Sequence, residues 1–201
     1  MSTPLPPGGG HKPFNWPLLL TWLRIVAIPL FVAVLYFPED WLTERQANVV
    51  SMWIFIAAGV TDWLDGYLAR RWNQTTSFGA FLDPVADKLM VAAALIVLTE
   101  KGIVDPFASL IIIGREITIS ALREWMAQIG QSKNVAVNFA GKLKTVIQLV
   151  AIPFLLFNGV LFGWFHTVNV GRWLIWVAAV ITLWSMVVYL KAAWAAERPA
   201  K

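Results

Sequence analysis

Apolar stretches close to the length of a membrane-spanning helix recur along this chain, at roughly 18–37, 47–70, 79–99, 106–128, 140–158 and 172–194. A bilayer's hydrocarbon core is about 30 Å thick, and about 20 apolar residues cross it as a helix. The pattern therefore predicts an all-α integral membrane bundle of six transmembrane helices in one domain. Composition agrees, since 58% of the 201 residues are hydrophobic and only 14% charged, where soluble domains carry about 25% charged residues. Turn and charge signals fill the breaks: PEDWLTER at 38–45, RRWNQTTS at 70–77, EKGIVDP at 100–106, GQSKN at 130–134 and FNGVLFGWFHTVNVG at 157–171. The Pro/Gly-rich opening MSTPLPPGGG lacks a basic cluster and is not followed by a small-residue cleavage site. It reads as a flexible cytoplasmic tail rather than a signal peptide. Tails are thus expected over 1–14 and 196–201, flanking a bundle over 15–195.

The absence of cysteine removes disulfides, thiolate metal sites and thiol nucleophiles, leaving carboxylates, hydroxyls and cations to carry any chemistry. The net charge of +4 is spread over segment ends with no run of five bases, which argues against nucleic acid as a partner. It fits membrane orientation instead. Lys12, Arg70, Arg71, Lys133, Lys191, Arg198 and Lys201 fall on one side, against Arg45, Lys101 and Arg172 on the other, so both termini are expected in the cytoplasm. Trp16, Trp41, Trp72, Trp125, Trp164, Trp173 and Trp194 stand near segment ends, where amphipathic rings anchor at the headgroup level.

The informative stretch runs from Asp62 to Asp87. Asp62, Asp65 and Ala69 are spaced i, i+3, i+7, and Gly79, Asp83 and Asp87 are spaced i, i+4, i+8, so each set shares one helix face. The short linker RWNQTTSF predicts an antiparallel pair with the carboxylates converging between its helices, about 12 Å below the cytoplasmic ends. Four acids inside a bilayer repel one another and need a counter-charge. With neither His nor Cys nearby, the all-oxygen donor set points to Mg²⁺ or Mn²⁺ and suits a two-metal site that clamps a phosphate. Gly66 and Gly79 clear space for phosphates to approach the backbone, Arg70 stands at the rim to meet a diphosphate, and Pro84 frees the Ala80 carbonyl. The plainer alternative makes Asp65-Gly66 a turn and pairs the other aspartates with Arg70, Arg71 and Lys88.

The spacing D-x2-D-G-x2-A-R-x8-G-x3-D-x3-D over Asp62–Asp87 resembles the signature of the CDP-alcohol phosphatidyltransferase family at every fixed position. The resemblance extends to Asn15, Thr21 and Arg24, to REITISALREWM at 115–126 and to GKLKT at 141–145. It implies a six-helix homodimer of the bacterial inner membrane, with two divalent ions set against the diphosphate of CDP-diacylglycerol. On this resemblance Asp62, Asp65 and Asp83 are metal ligands, and Asp87 is a ligand and the general base. Gly66, Ala69, Arg70 and Gly79 line the CDP site. An acceptor alcohol attacks the lipid-side phosphorus and CMP leaves, a reaction that depends on positioning and charge neutralisation.

The acceptor is read from cations. Arg24, Arg115, Arg123, Lys142 and Lys144 lie within or at the edges of apolar segments and need anionic partners there. An internal ion-pair network is one reading, with Glu116 and Arg123 sharing a face at i, i+7. The other takes the surplus of cations over acids as a pocket for a phosphorylated acceptor such as glycerol 3-phosphate, formed by Arg115, Arg123, Lys142 and Lys144, which the resemblance favours. A sister transferase acting on serine, inositol phosphate or phosphatidylglycerol shares the same acidic motif. Membrane prenyltransferases also hold magnesium diphosphate on aspartates, but not in one tight block. A divalent-cation transporter calls for polar residues at several depths, whereas the acids here cluster in one half of the bundle. His11 and His166 are expected at the surface.

Overall fold

The structure, a computed structural model, describes residues 16–72, 77–129 and 139–197. They form α1 (Trp16–Leu35), α2 (Glu44–Trp72), α3 (Ser77–Glu100), α4 (Pro106–Gln128), α5 (Phe139–Phe157) and α6 (Thr167–Glu197). A small antiparallel hairpin, β1 (Val160–Leu161) with β2 (Phe165–His166), separates the last two helices. The 157–171 segment, expected to be irregular, thus holds a hairpin and the first turn of α6. Phe162 and Gly163 turn the hairpin at positive φ, and the Thr167 amide and hydroxyl both donate to the Gly159 carbonyl, at 3.0 and 2.9 Å. That closure starts α6 at Thr167, five residues before the apolar run.

Local chemistry sets the other boundaries. Thr43 and Gln46 form a reciprocal capping box at the start of α2, with each backbone amide donating to the other's side-chain oxygen. Asp105 caps α4 by accepting from the Phe107 amide at 2.8 Å, and Pro106 occupies the first helical position. Between α3 and α4, Gly102 adopts φ +68° and lets the Ile103 and Val104 amides turn back to the Leu98 carbonyl.

Successive helices alternate in direction. Thr21–Asp83 and Tyr36–Glu100 contacts tie the start and end of α1 to those of α3, while Arg24–Asp62 and Phe31–Phe55 contacts run α2 the opposite way. Lys88–Ser120 and Thr99–Ser109 reverse α4 against α3, and Gly171 reverses α6 against α5 at Leu155. The start of α1 and the end of α6 consequently lie at the same end, here the near end. Tyr36 donates to Glu100 at 2.7 Å at the far end, and this bond to a carboxylate raises the phenol above its ordinary pKa.

The main core, built around Phe31, Phe55, Leu95, Ile112, Leu155 and Ile175, fills the far half of the bundle. A smaller cluster of Ile119, Met126, Tyr189 and Ala193 joins α4 to α6 at the near end. Outside these cores the surface is itself apolar: Trp41, Trp164 and Trp173 are each at least 75% exposed around the far end. Large exposed apolar area of this kind belongs against lipid. Glu44–Leu64 in α2 and Thr167–Lys191 in α6 are long and apolar enough to cross a bilayer, with shorter apolar stretches at Leu19–Leu35 and Leu143–Phe157. In α3 and α4 the apolar run is interrupted by Asp83, Asp87, Lys88, Arg115, Glu116 and Arg123.

Candidate active site

Between the two apolar clusters the bundle carries a polar layer to which all six helices contribute. Its acidic side is braced by a third helix. The helices α2 and α3 touch only sparsely, and α1 packs along both. From α1, Arg24 donates through Nη1 to Asp62 Oδ1 at 2.6 Å, and Thr21 donates to Asp83 Oδ1 at 2.5 Å. Both α1 side chains are fully buried, so the acidic pair of helices is held by a third element wedged beside it.

Asp62, Asp83 and Asp87 are partly buried. Asp87 lies in the field of Asp62, Arg24, Lys88 and Lys144. The side chains of Asp65, Ala69, Arg70 and Lys142 lie outside the described residues. Among the described residues no three His, Asp or Glu side chains close into a metal-binding group. The donor chemistry nevertheless fits a hard divalent cation: carboxylates from α2 and α3 face one region, and all the donors there are oxygens. Gly79 is buried and Gly66 partly so.

Among the described residues no ion pair joins Asp62, Asp83 or Asp87 to Arg71 or Lys88, and the Arg70 side chain lies outside them. Arg71 donates to Tyr67 at 2.7 Å and stacks over its ring, and Lys88 donates to Ser120 on α4. Ser120 in turn donates to the Glu116 carbonyl at 2.6 Å.

The basic side lies on α4, α5 and α6. Lys144 and Arg115 both pair with Glu116 Oε1, so Glu116 engages these cations and not Arg123, its expected partner on the same face. The reason is depth, because Arg115 and Lys144 are each only 4% exposed whereas Arg123 is exposed. An interior carboxylate gains most by neutralising interior charge. Arg115 also donates to Ser185 at 3.1 Å, and its Nε is buried with no hydrogen-bond partner among the described residues. The Nε2 of Gln148 on α5 is likewise buried without one among the described residues. The guanidiniums of Arg115 and Arg123 both lie over the Tyr189 ring, at 5.9 and 5.7 Å from its centre. Lys88, Arg115, Arg123 and Lys144 lie in one another's field, and Glu116 pairs with two of them, Arg115 and Lys144, a surplus of positive charge that suits a multiply charged anion.

Of the residues picked out from sequence, Asp62, Asp83, Asp87, Arg115, Arg123 and Lys144 are thus brought into one layer. Ser185, Tyr189 and Gln148 were missed; each is a lone polar or aromatic residue in an apolar helix, a pattern indistinguishable from ordinary core. The tie from Thr21 to Asp83 was missed because contacts across helices leave no periodicity in sequence.

Comparison with known proteins points the same way. The profile of the CDP-alcohol phosphatidyltransferase family matches residues 14–184. Proteins of Salmonella typhimurium (strain LT2), Shigella flexneri and Escherichia coli (strain K12), each named CDP-diacylglycerol–glycerol-3-phosphate 3-phosphatidyltransferase, are 50% identical to this chain over 184 residues. The alignments cover 90% of this chain and 95% of each relative.

Proposed function

Because the chain belongs to the CDP-alcohol phosphatidyltransferase family, we propose that it transfers the phosphatidyl group of CDP-diacylglycerol to glycerol 3-phosphate, giving phosphatidylglycerophosphate and CMP. The observation that carries this reading is the adjacency of an acidic side and a cation-rich side in one polar layer. A nucleotide diphosphate needs the first, and a phosphorylated acceptor needs the second.

Asp62, Asp65, Asp83 and Asp87 would hold the divalent cations, Mg²⁺ or Mn²⁺ and two in number, that neutralise the diphosphate and polarise its phosphorus when bound. Gly66, Ala69, Arg70 and Gly79 line the nucleotide. Arg115, Arg123, Lys142 and Lys144 take the acceptor's phosphate, with Glu116 holding Lys144 and Arg115 in register until it arrives. Asp87, between the acids and the cations, accepts the proton of the attacking hydroxyl. The acceptor oxygen then bonds to the lipid-side phosphorus, the bond from that phosphorus to the CMP oxygen breaks, and CMP departs. An apolar groove of about 270 Å³ lined by Phe55, Gly59, Trp63 and Leu149 begins one turn from Asp62 and supports a substrate carrying acyl chains.

The same reading makes the chain a six-span homodimer of the inner membrane with its near end in the cytoplasm. Arg71 and Lys191 at the near end support that orientation. The deciding experiment follows CMP release from CDP-diacylglycerol and Mg²⁺ by the purified full chain in detergent. Glycerol 3-phosphate, serine, inositol phosphate and phosphatidylglycerol are offered separately. Release with glycerol 3-phosphate alone is expected; release with another acceptor instead overturns the product assignment, and release with none overturns the activity.

A further inference from the structure

At the far end, opposite the polar layer, a cavity of about 430 Å³ opens between the end of α3, the start of α4 and the first turns of α6. Its floor is the buried apolar surface of Val104, Ala108 and Ile175, and its rim carries Asp105, Arg172 and Trp176. The two charged rim residues are each fixed by backbone groups. Arg172 donates through Nε to the Ile103 carbonyl at 2.6 Å and through Nη2 to the Gly102 carbonyl at 3.0 Å. Its Nη1 has no partner among the described residues. Asp105 uses Oδ1 to cap α4, and its other oxygen likewise has no partner there.

Although both line the same cavity, no ion pair joins Asp105 to Arg172. Opposite charges held apart on one rim match a ligand that carries both signs, and the apolar floor matches a ligand with a hydrocarbon portion. A purely anionic headgroup would meet Arg172 favourably but be repelled by Asp105. The setting also fits lipid, since the exposed ring of Trp176 lines the cavity where amphipathic side chains meet a headgroup layer.

We propose that this cavity binds the headgroup of a zwitterionic phospholipid, with the lipid phosphate on Arg172, its ammonium group on Asp105 and the beginning of an acyl chain over Val104, Ala108 and Ile175. The site is separate from the polar layer and does not depend on the acceptor assignment.

The test is native mass spectrometry of the full chain in mild detergent, titrated with phosphatidylethanolamine or phosphatidylglycerol of identical acyl chains. The wild type retains phosphatidylethanolamine about fivefold better, the size of one favourable surface ion pair. Asp105→Asn keeps the helix cap, because Asn caps as well as Asp, yet removes the charge and abolishes the preference. Arg172→Gln weakens retention of both lipids. Should Arg172→Gln fail to give a monodisperse protein, Asp105→Asn alone decides. Equal retention of the two lipids by the wild type, or an unchanged preference in Asp105→Asn, overturns the proposal. Displacement of the lipid by equimolar water-soluble glycerophosphoethanolamine overturns the assignment to a membrane lipid.

Discussion

Arg24, only 1% exposed, donates at 2.6 Å to Asp62, whose side chain remains 40% exposed. The cation is thus the interior member of the pair and the carboxylate the more exposed one. Replacing Arg24 with Met removes a charged hydrogen bond, costing about 2 kcal/mol, and leaves Asp62 without its anchor. We expect the melting temperature to fall by about 5 °C and CMP release to be lost. The double variant Arg24→Met with Asp62→Asn should recover the melting temperature but not the turnover; recovery of neither would mean that the pair is not what couples α1 to α2.

Asp87 offers a sharper functional test. In Asp87→Asn, CDP-diacylglycerol still binds, while turnover falls by about 10²–10⁴-fold, the range of a lost general base. Binding is read by retention of the nucleotide lipid on purified protein. Near-normal turnover would remove Asp87 from the proton-accepting role.

Two guanidiniums share the ring of Tyr189, and on the proposed function this residue positions them for the acceptor's phosphate. Tyr189→Leu should raise the KM for glycerol 3-phosphate about tenfold, the sum of two modest cation–π contacts. The KM for CDP-diacylglycerol should stay unchanged, and Tyr189→Phe should restore most of the acceptor affinity. A fall in kcat with both KM values unmoved would assign Tyr189 to core packing alone.

On the proposed function, the carboxylate set holds divalent cations that the reaction requires. Chelation of divalent ions should stop CMP release, and added Mg²⁺ or Mn²⁺ should restore it. Calorimetric Mg²⁺ binding in the presence of the nucleotide lipid should weaken in Asp83→Asn; undiminished binding would place the metal elsewhere.

Stability depends on a close approach between α5 and α6. A Cβ at Gly171 would lie 2.6 Å from Leu155 Cγ and 3.2 Å from the Ala151 carbonyl oxygen. Gly171→Ala therefore overpacks this contact at a cost of about 1–3 kcal/mol. Adding Leu155→Ala should return less than half of the loss, because the carbonyl contact persists. Thermal unfolding in detergent measures both.

Much of this architecture is legible in the residues. The six helices follow from runs of apolar side chains interrupted by Gly, Pro and charge, and the common face of Asp83 and Asp87 follows from helical periodicity alone. Periodicity relates residues within a helix and says nothing of what stands opposite. Arg24 was therefore recognisable as a costly cation but not as the partner of Asp62. For the same reason Glu116 was matched to Arg123 on its own helix, although Lys144 from α5 holds it. Ser185 and Tyr189 gave no signal, since their chemistry exists only once α4 lies alongside α6.

The packing of α1 along both acidic helices also bears on how the protein is made. Synthesis delivers α1 before α2 and α3, so Arg24 is in place before Asp62 leaves the ribosome and Thr21 before Asp83. Each acid can enter the bilayer beside a waiting partner, which lowers the barrier to insertion of helices that would otherwise carry isolated charge across hydrocarbon.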